Sequence, residues 1–152
     1  MIKTISGYEY AEIFALIYNS ANTLFPLNER CDVDEKIFYE QLAEDTNFVY
    51  TDDSGIYGFV SYHKSKEYYE ITSLYVKSDY QRMGIGHSLL SFVENQIPSR
   101  QYTIIKVLNN AYWALDFYQK HGYTFLRNNQ SLAKKWNITE NPWEKILYKK
   151  ID

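Results

Sequence analysis

Cysteine is nearly absent from this chain. Cys31 is the only one in 152 residues, so no disulfide can form within the chain, a usage that fits a reducing cytoplasm. No histidine or acid flanks that thiol in a pattern that would mark a nucleophile. Surplus charge is absent as well. With 16 Lys and Arg against 19 Asp and Glu, the net charge is −3, too little basic surface for nucleic acid to be an expected partner. No apolar run is long enough for a membrane: the uncharged stretch from Ile13 to Asn28 is short and broken by Asn19, Ser20, Asn22, Thr23 and Pro26. Met1 to Ser6 enters a strand pattern without the apolar core of a signal peptide, and the expected location is cytoplasmic. The three histidines, His63, His87 and His121, lack metal-ligand spacing and no Cys/His cluster exists, so no metal is expected. Repeats, low-complexity tracts and linkers are missing too, which leaves residues 1–152 as one expected domain.

What is there fits a globular α/β protein. Hydrophobic residues make up 45% and charged residues 23%, enough for one domain with a real core. The 16 tyrosines and 8 phenylalanines suit a β-rich core whose tyrosine rings pack while their hydroxyls stay wet. Periodicity and turn residues predict a strand at Ile2–Ser6 and a helix at Tyr8–Asn19 with Ile13, Leu16 and Ile17 inward. A loop follows over Asn22–Cys31. A second helix, capped by Asp32 or Asp34, runs to Glu44 and is buried through Ile37, Phe38, Gln41 and Leu42. Phe48–Tyr50 and Ile56–His63 form a hairpin around Asp52-Asp53-Ser54-Gly55, and Ser65-Lys66 turns into a long strand, Glu67–Val76. Then come a helix at Gly84–Gln96 closed by Pro98, a strand at Tyr102–Leu108, a helix at Ala111–His121 with Gly122 as its stop, a strand at Tyr123–Arg127, a helical turn in Ser131–Trp136 and a last strand at Trp143–Lys149. The order β-αα-βββ-α-β-α-ββ places all of this on one mixed sheet.

One stretch carries the chemistry. Leu74 to Leu90 reads as the end of a strand, a polar turn, a glycine-bearing loop and the start of an amphipathic helix. Glycines let the backbone approach a ligand closely, and a helix start offers N–H groups and positive dipole to an anion such as phosphate. A plain strand-to-helix turn is the alternative. No Gly-x-x-x-x-Gly-Lys-(Ser/Thr) run exists, which excludes a P-loop, and the loop follows an antiparallel run rather than opening a βαβ unit, which disfavours a dinucleotide fold.

Two motifs in this setting resemble the GNAT superfamily of N-acetyltransferases. Gln81-Arg82-Met83-Gly84-Ile85-Gly86 fits the family's (Gln/Arg)-x-x-Gly-x-(Gly/Ala) loop, and Phe117-Tyr118-Gln119-Lys120-His121-Gly122-Tyr123 fits its (Leu/Phe)-Tyr-x-Lys-x-Gly-(Phe/Tyr) helix end. The element order matches along essentially the whole chain. The resemblance implies a mixed α/β GNAT fold: a mostly antiparallel twisted sheet of about seven strands, about four flanking helices, and a splayed strand pair holding acetyl-CoA. It implies a pyrophosphate on the backbone of Gln81, Arg82, Met83, Gly84, Ile85, Gly86, His87 and Ser88, with the pantetheine arm along Leu74, Tyr75 and Val76. Family members often carry an Asn seven residues before the helix tyrosine; that position is Ala111 here, so Asn110 takes the contact if the helix starts one residue differently, and otherwise Asn109 and Asn110 are a helix cap.

For the chemistry, the resemblance makes Tyr118 the general acid facing the CoA sulfur; its bland alternative is an aromatic packed on the sheet. Glu70 stands eleven residues before Gln81, the offset of the catalytic glutamate in the histone-acetylating branch. By strand alternation Glu70, Thr72, Leu74 and Val76 share a face. A solvated strand glutamate, with an ordered water as base, is the alternative, and Glu67 is a weaker candidate. The hydroxyls of Tyr50, Tyr57, Tyr62, Tyr68 and Tyr69 are candidates for lining an acceptor groove, while His63 and His121 read as surface or packing residues. The expected activity is acetyl transfer from acetyl-CoA to a primary amine, small molecule or protein; relatives often form homodimers, while the sequence itself leaves the oligomeric state open. The competing readings are a non-catalytic acyl-CoA-binding module and an acyltransferase for longer acyl chains.

Overall fold

The computed structural model describes residues 1–5, 7–24 and 35–152. Seven strands form one sheet. They are β1 (Ile2–Thr4), β2 (Thr46–Asp52), β3 (Gly55–Lys64), β4 (Tyr69–Val76), β5 (Tyr102–Leu108), β6 (Thr124–Phe125) and β7 (Glu144–Lys150), in the order β1-β2-β3-β4-β5-β7-β6. Five α-helices occur among the described residues: α1 (Tyr10–Leu24), α2 (Glu35–Glu44), α3 (Ile85–Gln96), α4 (Tyr112–Lys120) and α5 (Gln130–Trp136). The mixed α/β class and the strand count match expectation; the additional helix is α5. Contacts group the chain into two compact units, one of residues 1–63 and 72–96, the other of residues 64–71 and 97–152.

In the first unit, α1 runs five residues beyond the expected Asn19, since nothing between Asn19 and Leu24 is a proline or glycine that would stop it. The expected loop therefore begins inside α1. Its remainder, with Cys31 and the capping candidates Asp32 and Asp34, lies outside the described residues. Ile13, Leu16 and Ile17 of α1 and Phe38 and Leu42 of α2 pack on Val49, Ile56 and Phe59 of the sheet. Phe38 and Leu42 are four residues apart and define the buried stripe. Ile37 and Gln41 sit one position off it, and both are exposed, against expectation. The β2–β3 turn has two residues. It is held by the Asp52 carboxylate, which accepts the Ser54 N–H and the Tyr57 hydroxyl, both at 2.7 Å. On α3, Ile85, Leu89, Leu90 and Val93 are buried, each adding about 1.5–3 kcal/mol by the area it removes from water.

The second unit is built on β5 and β7, which pair antiparallel over seven residues, from Tyr102↔Lys150 to Leu108↔Glu144. Ile104, Leu126, Ala133, Trp136 and Ile146 form its core, and the Trp136 ring meets Tyr68, Tyr102 and Tyr148. The expected strand Tyr123–Arg127 shrinks to Thr124–Phe125. Leu126 turns into the core and opens a 3-10 turn, and Asn129 then caps α5 by accepting the Leu132 N–H at 3.1 Å.

Strand β4 departs from simple alternation. Its parallel ladder with β5 joins Tyr69–Ile71 to Thr103–Ile105, whereas β4 runs on to Val76. Against β3, the Ser65 N–H bonds the Tyr68 carbonyl and the Lys77 N–H bonds the Tyr57 carbonyl. Between those two bonds β4 spends one residue more than β3, which is a β-bulge. Side chains agree. Thr72 reaches Asp45, the partner of His63, while Tyr75, three residues on, stacks on Phe59, a residue on the His63 face of β3 by alternation. Glu70 and Thr72 share a face as expected, but Leu74 and Val76 do not continue it.

Candidate active site

The expected phosphate loop belongs to the first unit and can be built from its backbone. A 3-10 turn over Ser78–Tyr80 leaves β4, and the Tyr80 ring lies 4.2 Å from that of Tyr57. Arg82 and Gly84 then adopt left-handed backbone, φ 65° and 83°. Two such residues in three turn successive N–H groups toward one side, an arrangement that suits an anion. Glycine accepts this conformation freely, while Arg82 stores about 1–2 kcal/mol of strain. Helix α3 begins at Ile85. The Ser88 N–H makes its first turn's bond to the Gly84 carbonyl at 3.0 Å, and the Ser88 hydroxyl donates to that same carbonyl. An α-helix leaves the N–H groups ahead of that bond without an intrahelical acceptor. Gln81, Arg82, Met83 and Gly84 are exposed, as is His87; Gly86 and Ser88 are half-buried, and Ile85 is buried.

Several side chains have jobs the sequence did not announce. The Gln81 amide donates to the Val76 carbonyl at 3.1 Å and ties the loop to the end of β4. Gly58 of β3 is the residue sequence reasoning missed here. A Cβ on it would stand 2.9 Å from the Tyr75 carbonyl oxygen and 3.1 Å from Leu89 Cδ1, so its lack of a side chain lets α3 and β4 close on the sheet. A glycine inside a strand pattern was the available signal. Leu74, Tyr75 and Val76 are half-buried at the bulge, and burial pushes the Tyr75 hydroxyl above its ordinary range.

The expected acid and base belong to the second unit. Tyr118 is buried, 5% exposed, with its ring edge-on to Phe117 and Tyr123. Beneath it the Tyr123 hydroxyl and Thr103 Oγ1 are bonded at 3.0 Å. Gly122, at φ 91°, ends α4 as expected. Glu70 lies beside Lys106, carboxylate to ammonium 3.7 Å, with 17% of its side chain exposed. Asn109 does not cap α4: its side chain donates to the Pro142 carbonyl at 2.7 Å, and its N–H to Trp143. The cap position is Ala111, which has no side-chain bond, and Asn110 is exposed ahead of it.

Of the tyrosines expected to line a groove, Tyr57 is committed to Asp52, Tyr68 to the Trp136 cluster, and Tyr69 lies under Lys64. His121 does pack, against Phe117, as expected. His63 does more: its Nδ1 stands 3.1 Å from the Asp45 carboxylate. An open cavity of about 400 Å³ between Ser65–Tyr68 and Lys135–Asn137 contains none of the expected site residues. No group of three or more His, Cys, Asp or Glu among the described residues is placed to hold a metal ion, and no described helix is long and apolar enough to cross a membrane.

A family model described as an acetyltransferase (GNAT) domain matches residues 43–125, more than half of the chain. Solved structures share the fold. An acetyltransferase of the GNAT family from Staphylococcus aureus is 15% identical with a TM-score of 0.79, the match covering 100% of this chain and 99% of that one. A ribosomal-protein-alanine N-acetyltransferase from Brucella melitensis is 14% identical with a TM-score of 0.72, at 99% coverage of both chains. An N-acetyltransferase from Thermoplasma acidophilum, solved in complex with coenzyme A, is 16% identical with a TM-score of 0.70, covering 99% of this chain and 98% of that one. Curated protein sequences returned no significant match.

Proposed function

The chain belongs to the acetyltransferase (GNAT) domain family, and from that premise we propose that it moves an acetyl group from acetyl-CoA to a primary amine. The observation that carries the reading is the left-handed pair Arg82 and Gly84 leading straight into the start of α3. It supports a diphosphate seated on the Arg82–Ser88 backbone, with Arg82 adding a charge-assisted contact. The solved relative that holds coenzyme A has the same fold, and the match covers both the glycine loop and Tyr118.

In this reading the pantetheine arm adds to the backbone of Leu74–Val76 as an extra strand would. The bulge in β4 disturbs regular pairing there, which suits those N–H groups to meet the thioester oxygen as it turns into an oxyanion. Asn110, exposed ahead of α4, is the asparagine offered to the cofactor in place of one at position 111. The amine attacks the thioester carbon, and Glu70 takes a nitrogen proton as the C–N bond forms. The C–S bond breaks, and Tyr118 gives its hydroxyl proton to the departing thiolate. Solvent returns a proton to the phenolate. The work is done by a cytoplasmic protein that needs no metal.

Tyr118→Phe tests the assignment. The ring and its packing on Phe117 and Tyr123 are kept, so stability should change by less than about 1.5 kcal/mol. Acetyl transfer should fall by about 100-fold with CoA affinity nearly unchanged. Unaltered transfer would remove Tyr118 as the acid and favour a protein that only binds the cofactor.

A further inference from the structure

An ammonium acceptor sheds two protons on becoming an amide, and only one of them has a counterpart in the thiol that leaves. The other must be taken before attack, because a protonated nitrogen has no lone pair to donate. Glu70 is assigned one nitrogen proton above. A second titratable group lies in the first unit, on the strand pair that carries the proposed oxyanion donors.

That group is His63, and it is held as a base would be held. Asp45, at the bend between α2 and β2, has a side chain only 3% exposed. One of its oxygens stands 3.1 Å from His63 Nδ1, and the other accepts the Thr72 hydroxyl at 2.6 Å. Both oxygens are thus engaged, and the carboxylate cannot swing away. The bend itself is pinned: Asn47 donates to the Leu42 and Asp45 carbonyls at 2.6 and 3.0 Å and accepts the Ser61 hydroxyl at 2.6 Å. A buried network with its members satisfied fixes one arrangement. With Asp45 on Nδ1, the tautomer that carries hydrogen there leaves Nε2 as the acceptor. His63 remains 36% exposed, so the ring has access to solvent.

Position points the same way. Thr72, which shares the Asp45 carboxylate with His63, precedes Leu74 by two residues, about 7 Å of strand. Asp45, on the bend before β2, is the charged group bonded to the ring within this unit. On this face the paired strand β2 offers uncharged Asn47, opposite Ser61. A carboxylate beside an imidazole suits a cationic acceptor.

We infer that His63, oriented by Asp45, is a catalytic residue that takes the first proton from the acceptor ammonium. The inference rests on the acetyltransferase reading. One proton passes from the ammonium to Nε2, and the imidazolium, facing Asp45, later releases it to solvent. The free amine then attacks, with the second nitrogen proton going to Glu70 as above. Asp45 is a positioning residue.

The test is the pH dependence of kcat/KM for acetyl transfer to a lysine-like amine in wild type, His63→Gln and Asp45→Asn, with thermal unfolding and CoA titration of each. Below pH 8 almost all of such an acceptor is ammonium, and both variants should be about 100-fold slower there. Near pH 10.5, where about half of the acceptor is already free amine, they should approach wild type. A purely structural defect would not be rescued by pH. The inference is overturned if His63→Gln keeps the wild-type rate at low pH, or loses equally at every pH while still folded. Loss of transfer on Tyr118→Phe and Glu70→Gln, with none on His63→Gln, would sink this inference alone. A wild-type chain that binds acetyl-CoA and acetylates no amine would sink the acetyltransferase reading with it.

Discussion

Replacing Gly84 by alanine separates a cofactor cradle from a plain turn. The residue sits at φ 83°, where a side chain costs about 1–2 kcal/mol of backbone strain. No atom lies within 4 Å of the new Cβ, so strain is the whole folding penalty. For a chain of this size each kcal/mol lowers the melting temperature by about 2–4 °C, giving an expected drop of about 2–8 °C. The methyl group projects from the exposed loop where a phosphate would meet the N–H groups. Losing one charge-assisted hydrogen bond there costs about 1.5–3 kcal/mol, which weakens CoA binding by about 10- to 100-fold. Isothermal titration with CoA beside a thermal melt reads both numbers on one sample. A melt that falls as stated with CoA affinity unchanged would refute the reasoning and return the loop to an ordinary turn. Valine at the same position should widen the gap between the two effects.

Gly58→Ala should behave in the opposite way: the Cβ would meet the Tyr75 carbonyl oxygen at 2.9 Å and Leu89 at 3.1 Å, and overpacking of this kind costs about 1–3 kcal/mol. Urea unfolding at unchanged midpoint would show that the approach is not tight. Glu70→Gln should lower acetyl transfer at every pH, since it removes the acceptor of the nitrogen's second proton, and should cost little stability because its partner Lys106 is partly exposed. A loss confined to low pH would hand its role to the group that deprotonates the ammonium. For Tyr75, burial raises the folded pKa above the unfolded value. Its contribution is therefore full below about pH 10 and lost as pH rises through the higher folded value. Tyr75→Phe should weaken that alkaline loss, seen as denaturation midpoints measured from pH 8 to 11; an identical decline in both proteins would contradict it.

Most of the architecture was legible because it rests on local signals. The Asn-free, β-branched run Tyr102–Leu108 is the strand it looks like, Gly122 stops α4 with a left-handed backbone, and the two-residue Asp53-Ser54 turn joins β2 to β3. The glycine loop was legible as well, since its motif is contiguous. Other features depend on partners distant in sequence. Alternation could not foresee the bulge that turns Leu74 away from the Glu70 face, because a bulge is set by pairing with β3. Asp45, His63 and Thr72 are separated by 18 and 27 residues, so no spacing rule brings them together. Ile37 was expected inside because it is apolar, yet Phe38 and Leu42 fill the helix stripe beside it. The short β6 was hidden by the apolar character of Leu126, which serves a 3-10 turn as readily as a strand.

The most direct test of the whole account is acetyl transfer itself: the purified chain, acetyl-CoA and a panel of primary amines, read by release of free CoA thiol and by the mass of the acceptor. Thiol release should depend on the amine, the acceptor should gain the mass of one acetyl group, and Tyr118→Phe should cut the rate about 100-fold. Tight acetyl-CoA binding with no amine-dependent thiol release across the panel would contradict it.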